Sequence, residues 1–346
     1  MAVEKEGAFR KVTSVDVAKR AGVSRSAVSR TFTADASVSK HTREKVLRAA
    51  QELGYRVNKL ASSLINNRSD LVGIVASNMD NPFRALQLES LSRQLTSKGL
   101  RPILLFVEGA EDPSQVIGML LEYNVSGVIV TSDTPPQRIC QECLALGVPM
   151  VLINKAESDV PVDRVLLDNE RTGELALQQL HSAGARRMAI VTAAHPSYSL
   201  SVRIEAFSAQ CEALGLAPVL HFEGELQNYE GGLSAAQQLL ESEQAIEGVF
   251  CVSDYMALGF LDGLRLSERL QVPQDLKVIS CDDIAQASWP IYDLTTIRQD
   301  TDKLAESVVQ VLQERMANPE CEVMVRVLEV DVIARGSTGL TETRER

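Results

Sequence analysis

The sequence predicts a two-part protein, a small all-α unit at the N-terminus followed by an α/β body of two doubly wound parallel-sheet lobes. Three observations carry that expectation. The 346 residues exceed one ordinary domain and suggest a small unit plus one large or two medium ones. Charge is divided: residues 1–68 hold 14 Lys and Arg against 6 Asp and Glu, net +8, whereas the remainder holds 21 against 40, net −19. The overall −11 therefore hides a local basic field suited to polyanions. From Leu71 onward, short apolar runs alternate with amphipathic stretches, the texture of parallel strands covered on both faces.

The first 60 residues read as short helices with polar stops. Thr13 precedes Ser14–Ala21 and has Asp16 three places on, an acidic version of the capping box. Gly22 ends that helix, and Ser24 is placed to cap a second over Arg25–Phe32. Ser39 is placed to cap a third from about Thr42 to Leu53, with Val46, Leu47, Ala50 and Leu53 on one face. Leu60–Asn66 is a fourth helical candidate, too short to be stable alone.

The body opens with the runs LVGIVA (71–76), PILLFV (102–107), GVIVT (127–131), PMVLI (149–153) and RVLLD (164–168). A second series follows: RMAIVTA (187–193), PVLHF (218–222), GVFCV (248–252) and KVISC (277–281). Helical patterns separate most of them, so these nine strands split into one lobe near 71–165 and another near 170–290. The tail after Arg335, GSTGLTETRER, reads as disordered.

Several function classes find no support. No apolar stretch is long enough for a membrane span, and MAVEKEGAFRKV lacks the apolar core of a secretion signal, so a cytoplasmic protein is expected. Only Cys140 and Cys143 form a CxxC, with no second pair or histidines at ligand spacing; they read as helix-face residues, and neither metal nor cofactor is expected. GxSxG, P-loop and HExxH motifs are missing, which argues against an enzyme.

The span Thr13–Phe32 has the form helix, Gly-containing turn, helix. Val15, Val17, Ala18, Ala21, Val23, Ala27 and Val28 supply the small apolar residues that two crossing helices need at their contact. The second helix exposes Arg25, Ser26, Ser29 and Arg30, and such side chains can meet base edges in a major groove. By pattern alone the stretch also reads as a solvated helical hairpin.

With VTSVDVAKRAGVSRSAVSRTF followed by VSKHTREKVLRAAQELGYRVNKLASSL, the span from Val12 to Leu64 closely resembles the headpiece of the lactose repressor (LacI/GalR) family. Helix-turn-helix, third helix and hinge helix follow in order, and the resemblance continues to about Gly336. It implies a DNA-binding transcription regulator in which Arg25 and Ser26 open the recognition helix toward bases, with Ser29 and Arg30 close behind. Thr13, Ser24, Ser39, Thr42, Tyr55 and Asn58 match positions that hold the phosphate backbone, which positions the protein without choosing sequence. Leu60–Leu64 matches the hinge helix that enters the minor groove, with Leu64 as the wedge and Ala61 facing its partner copy. The local alternative is that Leu64 merely packs on the next domain. One departure is plain: where the family often has Asn-Gly after the recognition helix, this chain has Thr33–Ala34–Asp35–Ala36.

The implied domains are a headpiece over 1–58, hinge and linker over 59–70, a two-lobed effector-binding and dimerisation domain over 71–336, and a tail over 337–346. The resemblance gives the body the periplasmic binding protein-like (type I) fold, where ligands sit at strand carboxyl ends between lobes. Polar residues fall at such ends here: Asp80, Asn81 and Phe83 after the first strand, Asn154 after the fourth, Ser199 and Arg203 after the Ile190 strand, Ser253 and Asp254 after GVFCV, Asp282 and Asp283 after KVISC, and Gln299 in a crossover after LTTI. An arginine among carboxylates and amides suits a polyol. The resemblance points to Arg203, Asp254 and Asp282 first, then to Asn154, Ser253 and Gln299.

Ser253 stands where relatives commonly have Asn, and Leu226 where an aromatic often stacks on a sugar, so effector identity does not transfer. Local alternatives stand beside these roles. Ser199, Asp254 and Asp283 could be helix N-caps, Arg203 a surface ion-pair partner, His195 and His221 plain loop or strand residues, and Trp289 a cleft-mouth or core-covering residue. The expected protein is a homodimeric repressor on a pseudo-palindromic operator, sensing a small sugar or sugar acid; the absence of a leucine-heptad tail after Arg335 favours dimer over tetramer.

Overall fold

The computed structural model describes residues 12–33, 36–56, 69–106, 118–120, 122–131, 137–155 and 160–340. The chain divides into two compact units, Met1–Ser69 and Asp70–Arg346.

In the first unit, α1 (Ser14–Ala21) starts where Thr13 and Asp16 close a reciprocal capping box: Thr13 N donates to Asp16 Oδ2 at 2.9 Å, and Asp16 N donates to Thr13 Oγ1 at 3.4 Å. Gly22, at φ +66°, turns the chain left-handed and ends the helix. Ser24 caps α2 (Arg25–Phe32), its Oγ accepting from Ala27 N at 3.2 Å. Ser39 caps α3 (Lys40–Leu53), which therefore begins two residues before Thr42. The three helices close over Val17, Ala18, Val28, Val46, Ala49 and Ala50, with the Phe32 and Tyr55 rings 5.9 Å apart. Val15 and Leu47 are corrections: both are exposed, and Ala49 takes the core position. The buried stripe of α3 keeps helical spacing from 46 through 49 and 50 to 53, and residue 47 falls outside it.

The second unit holds two six-stranded sheets. The strands β1 (Leu71–Ala76), β2 (Arg101–Phe106), β3 (Gly127–Val130), β4 (Met150–Ile153), β5 (Asp163–Leu167) and β11 (Val325–Leu328) line up as β11–β5–β4–β3–β1–β2, all parallel. The strands β6 (Met188–Ala193), β7 (Leu220–Gly224), β8 (Gly248–Cys251), β9 (Lys277–Asp282), β10 (Thr295–Arg298) and β12 (Asp331–Ile333) line up as β12–β10–β9–β8–β6–β7, with only β12 antiparallel. The two orders are the same winding. Each reverses direction between its first and third strands, and a doubly wound sheet opens a crevice at the carboxyl ends there.

Helices α4 (Pro82–Ser97), α5 (Gln137–Ala145), α6 (Asn169–Ser182), α7 (Tyr198–Ala213), α8 (Tyr229–Glu241), α9 (Asp254–Ser267) and α10 (Thr301–Ala317) connect the strands. Helix α10 buries Leu304, Val308, Val311 and Leu312 and packs against β3, β4, β5 and β11, so after β10 the chain returns to the first sheet. It crosses again between β11 and β12. Contiguous lobes ending near 290 are thus corrected, and β10, β11 and β12 join the nine expected strands. Their sequences hide them: β10 buries Thr295 and Thr296, while β11 is an edge strand that alternates exposed and half-buried residues.

Edge strand β7 begins two residues later than PVLHF suggested, because Pro218 has no N–H to give the ladder and pairing starts at Leu220 opposite Ala189. The tail is also corrected in part. Gly336–Thr338 forms a short 3₁₀ turn whose Ser337 Oγ donates to Val278 O at 2.6 Å and accepts from Thr295 N at 2.8 Å. Small polar side chains that look like linker composition here close the end of a sheet.

Candidate functional site

The first unit presents one polar helix face. Arg25, Ser26, Ser29 and Arg30 are all exposed on α2, the first pair about one turn before the second, while Val28 and Thr31 are buried. No acidic residue lies in the first turn of α2, so its N-terminal N–H groups and these side chains form a donor-rich surface. Thr13, Ser24 and Ser39 are the N-caps of the three helices, and Ser39 Oγ also donates to Thr42 Oγ1 at 2.8 Å. Each also stands at a helix N-terminus, where anions are favoured. Tyr55 is half-buried against Phe32. Asn58, Ala61 and Leu64, with the hinge segment, lie outside the described residues, as do Ala34 and Asp35.

In the second unit, the carboxyl ends of the two sheets face a shared cleft of about 470 Å³, counting its solvent-open part. Asn81, Phe83, Asn154, Ser199, Arg203, Asp282 and Gln299, seven of the eleven strand-end side chains singled out from sequence, line it together. Arg84, Gln87, Thr131, Ile153, Ser197, Leu200 and Gln227 complete the wall and were not foreseen. Arg84 and Gln87 carried a usable signal, since both follow Phe83 within one turn of α4; Thr131 ends a strand that was recognised.

Four of the polar groups, Asn81, Asn154, Arg203 and Gln299, are partly committed to the fold. Asn81 caps α4 with its Oδ1, which accepts from Phe83 N at 3.0 Å. Asn154, at φ +52°, accepts from Leu167 N at 2.8 Å. Arg203 is 3% exposed; its Nε donates to Asn169 Oδ1 and its Nη1 to Val252 O, both at 2.9 Å. Gly173 lets α6 approach α7 at this point, since a Cβ there would lie 2.4 Å from Arg203 O. Gln299 donates to an Asp282 oxygen, while its own buried Oε1 has no partner.

Asp254 and Asp282 look alike in sequence and differ in place. Asp254 is a correction: fully buried, it accepts from Ser280 Oγ, from Thr296 Oγ1 at 2.6 Å and from Ile284 N at 2.9 Å, and is not among the residues that line the cleft. Ser253 is a correction too, buried and outside the cleft with an unpartnered hydroxyl. Asp282 does reach the cleft. Burial and the neighbouring Asp254 push its carboxyl up to about 8, against the pull of Arg203, Arg84 and the Gln299 bond.

The remaining alternatives resolve simply. Asp283 pairs with Arg335 at 2.6 Å, and His195 and His221 are exposed. Trp289, half-exposed and 6.5 Å from the Tyr292 ring, neither lines the cleft nor covers the core. Leu226 is 61% exposed, and Gln227 beside it faces the cleft instead. Cys140 and Cys143 are buried on α5, and burial raises their thiols to about 11 and 12, so both stay protonated.

Comparison with known proteins gives consistent matches. The profile for bacterial regulatory proteins of the lacI family matches residues 14–58, and that for a periplasmic binding protein-like domain matches 177–338. The ribose operon repressor of Escherichia coli (strain K12) is 32% identical over 331 residues, 94% of this chain and 99% of its own. The HTH-type transcriptional regulator CelR of Thermobifida fusca is 31% identical over 95% of this chain and 98% of its own. Among solved structures, the lac repressor dimer bound to operator and the anti-inducer ONPF matches with TM-score 0.85 at 26% identity, covering 95% of this chain and 99% of that one. A complex of transcriptional regulator CelR with cellobiose matches with TM-score 0.70 at 28% identity, covering 94% and 100%.

Proposed function

The chain belongs to the lacI family of bacterial regulatory proteins, and from that premise we propose that residues 1–58 read an operator while the cleft in residues 71–336 senses a small sugar or sugar acid. The observation that carries this reading is the pairing, in one chain, of an exposed Arg25–Ser26–Ser29–Arg30 face with a cleft lined by Asn81, Asn154, Arg203 and Gln299, polar groups partly committed to the fold. The first suits bases and phosphates, the second hydroxyls. The names of the relatives, a ribose operon repressor and a cellobiose-bound regulator, support a carbohydrate-derived effector.

The protein works in the cytoplasm as a homodimeric repressor and turns over no substrate. Two copies bind a pseudo-palindromic site, and the linker over 59–70 carries the Leu64 wedge between them and the body. Effector binding closes the cleft and resets the spacing of the two headpieces. An effector that prefers one lobe arrangement about 100-fold shifts the DNA equilibrium by roughly 2.7 kcal/mol.

Fluorescence anisotropy of the full-length protein on the fragment upstream of its own gene tests the reading. Tight binding that weakens steeply between 50 and 200 mM salt, on the order of 10³-fold or more, is expected for several phosphate contacts. Binding without salt dependence, or none to any genomic fragment, rules it out.

A further inference from the structure

Of the three described helices of the first unit, only α2, which carries the exposed arginine and serine face, ends without a glycine. Gly22 and Gly54 turn the chain left-handed after α1 and α3, whereas α2 runs into Thr33 in extended conformation. No glycine stands between Gly22 and Gly54 in the sequence. A helix of eight residues is marginal by itself, and carbonyls left open at its end favour fraying. Here side chains take those carbonyls instead. Thr31 Oγ1 donates to Ala27 O at 2.8 Å, Thr33 Oγ1 to Ser29 O at 3.0 Å, and Arg43 Nη1 reaches across from α3 to Thr31 O at 2.9 Å.

Arg43 is the one donor of this set that comes from another helix. Its Nη2 also donates to Ala36 O at 3.5 Å, so a single planar guanidinium fastens both the end of α2 and the far side of the connection into α3. Arg43 is half-buried, and no carboxylate pairs with it among the described residues. What holds its charge is the pair of carbonyls and the negative end of the α2 dipole. It also stands next to Thr42, whose hydroxyl accepts from Ser39 Oγ at the start of α3. One side chain therefore sets the position of the α2 face relative to the N-terminus of α3.

The two kinds of DNA contact respond differently to such a brace. Phosphate contacts tolerate small displacements, because charge attraction has little directionality, and they carry no sequence information. Bidentate contacts to a base edge need their side chains held within about 0.5 Å. An α2 that loosens at Thr31 still presents the charges of Arg25 and Arg30, but it no longer holds Ser29 and Arg30 in register with Arg25 and Ser26.

Resting on the reading of the first unit as an operator reader, we infer that Arg43 is a positioning residue for sequence discrimination, acting by clamping the C-terminal end of α2 to α3 and not through a phosphate. Fluorescence anisotropy of the full-length protein on the fragment upstream of its own gene, and on a random-sequence duplex of equal length, tests it in Arg43→Met and Arg43→Lys. Lysine keeps the charge but, as a point donor, does not span two carbonyls. In both variants affinity for the fragment falls about tenfold, the scale of one base contact, while affinity for the random duplex and the salt slope stay at wild-type values. Thermal melting fixes a temperature at which each variant is folded, and Arg43→Lys decides alone if Arg43→Met does not fold. A loss on both duplexes in Arg43→Met with a slope lower by about one, restored by Arg43→Lys, makes Arg43 a phosphate contact and overturns the inference. Full preference for the fragment in folded Arg43→Lys, or a fall on both duplexes that tracks the unfolded fraction, overturns it as well. Wild-type protein that does not prefer the fragment removes the operator reading itself, and the inference with it.

Discussion

Arg25 and Arg203 both sit within two turns of a helix N-terminus, yet the two regions they belong to use polar side chains in opposite ways. Arg25 is exposed on α2, and the three-helix core forms beneath it from Val17, Val28 and Val46. Arg203 is buried, fastened to Asn169 and Val252, and its surroundings are part of the second sheet's architecture. A reading surface can therefore change its side chains while the fold stays, whereas a buried cleft is built from groups that also hold the fold. Function and stability separate in the first region and are entangled in the second.

The largest effect that would sharpen this contrast lies at Asp254, buried outside the cleft lining. Asp254→Ala removes the shared acceptor of Ser280, Thr296 and Ile284, leaving three buried donors unpaired. A loss of about 3 kcal/mol in urea unfolding of the body is expected, with the headpiece transition unmoved. An unchanged midpoint would mean that the body tolerates vacated polar networks as the surface does.

Next in size is Arg25→Ala. Operator affinity should fall about tenfold or more, the discrimination a bidentate arginine gives, with no shift in melting temperature. A coupled drop in stability would break the comparison, because it would make α2's exposed face structural.

The smallest effect is a pH profile. Asp282 binds its proton more tightly in the fold than in the unfolded chain, so its contribution to stability is present below the unfolded value near 4 and is lost as pH rises through about 8. Thermal unfolding of wild type should therefore decline more between pH 5 and 8 than that of Asp282→Asn. Parallel profiles would remove Asp282 from the set of buried titrating groups.

The headpiece was legible because its signals are local. Thr13, Ser24 and Ser39 cap the helices they precede, and Gly22 ends one, all within a single turn of the residues that reveal them. The misses there, Val15 and Leu47, come from reading hydrophobicity without knowing which stripe faces the other helices. In the body, long buried runs such as β1, β6 and β9 announced themselves, while β10 with its buried threonines and the edge strands β11 and β12 did not.

By itself the sequence determined a cationic helical reader joined to an acidic, doubly wound body, and which strand ends carry polar residues, because capping, periodicity and charge act over a few residues. The tertiary structure decided that Asp282 lines the cleft while Asp254 is buried outside its lining, that Arg84, Gln87 and Gln227 join the wall, and that residues 301–328 return to the first lobe. Those outcomes depend on which strands pair and which helices approach closely enough to bury a charge. Partners in such contacts are far apart in the chain, as Arg203 and Asn169 are, and only packing brings them within hydrogen-bond reach.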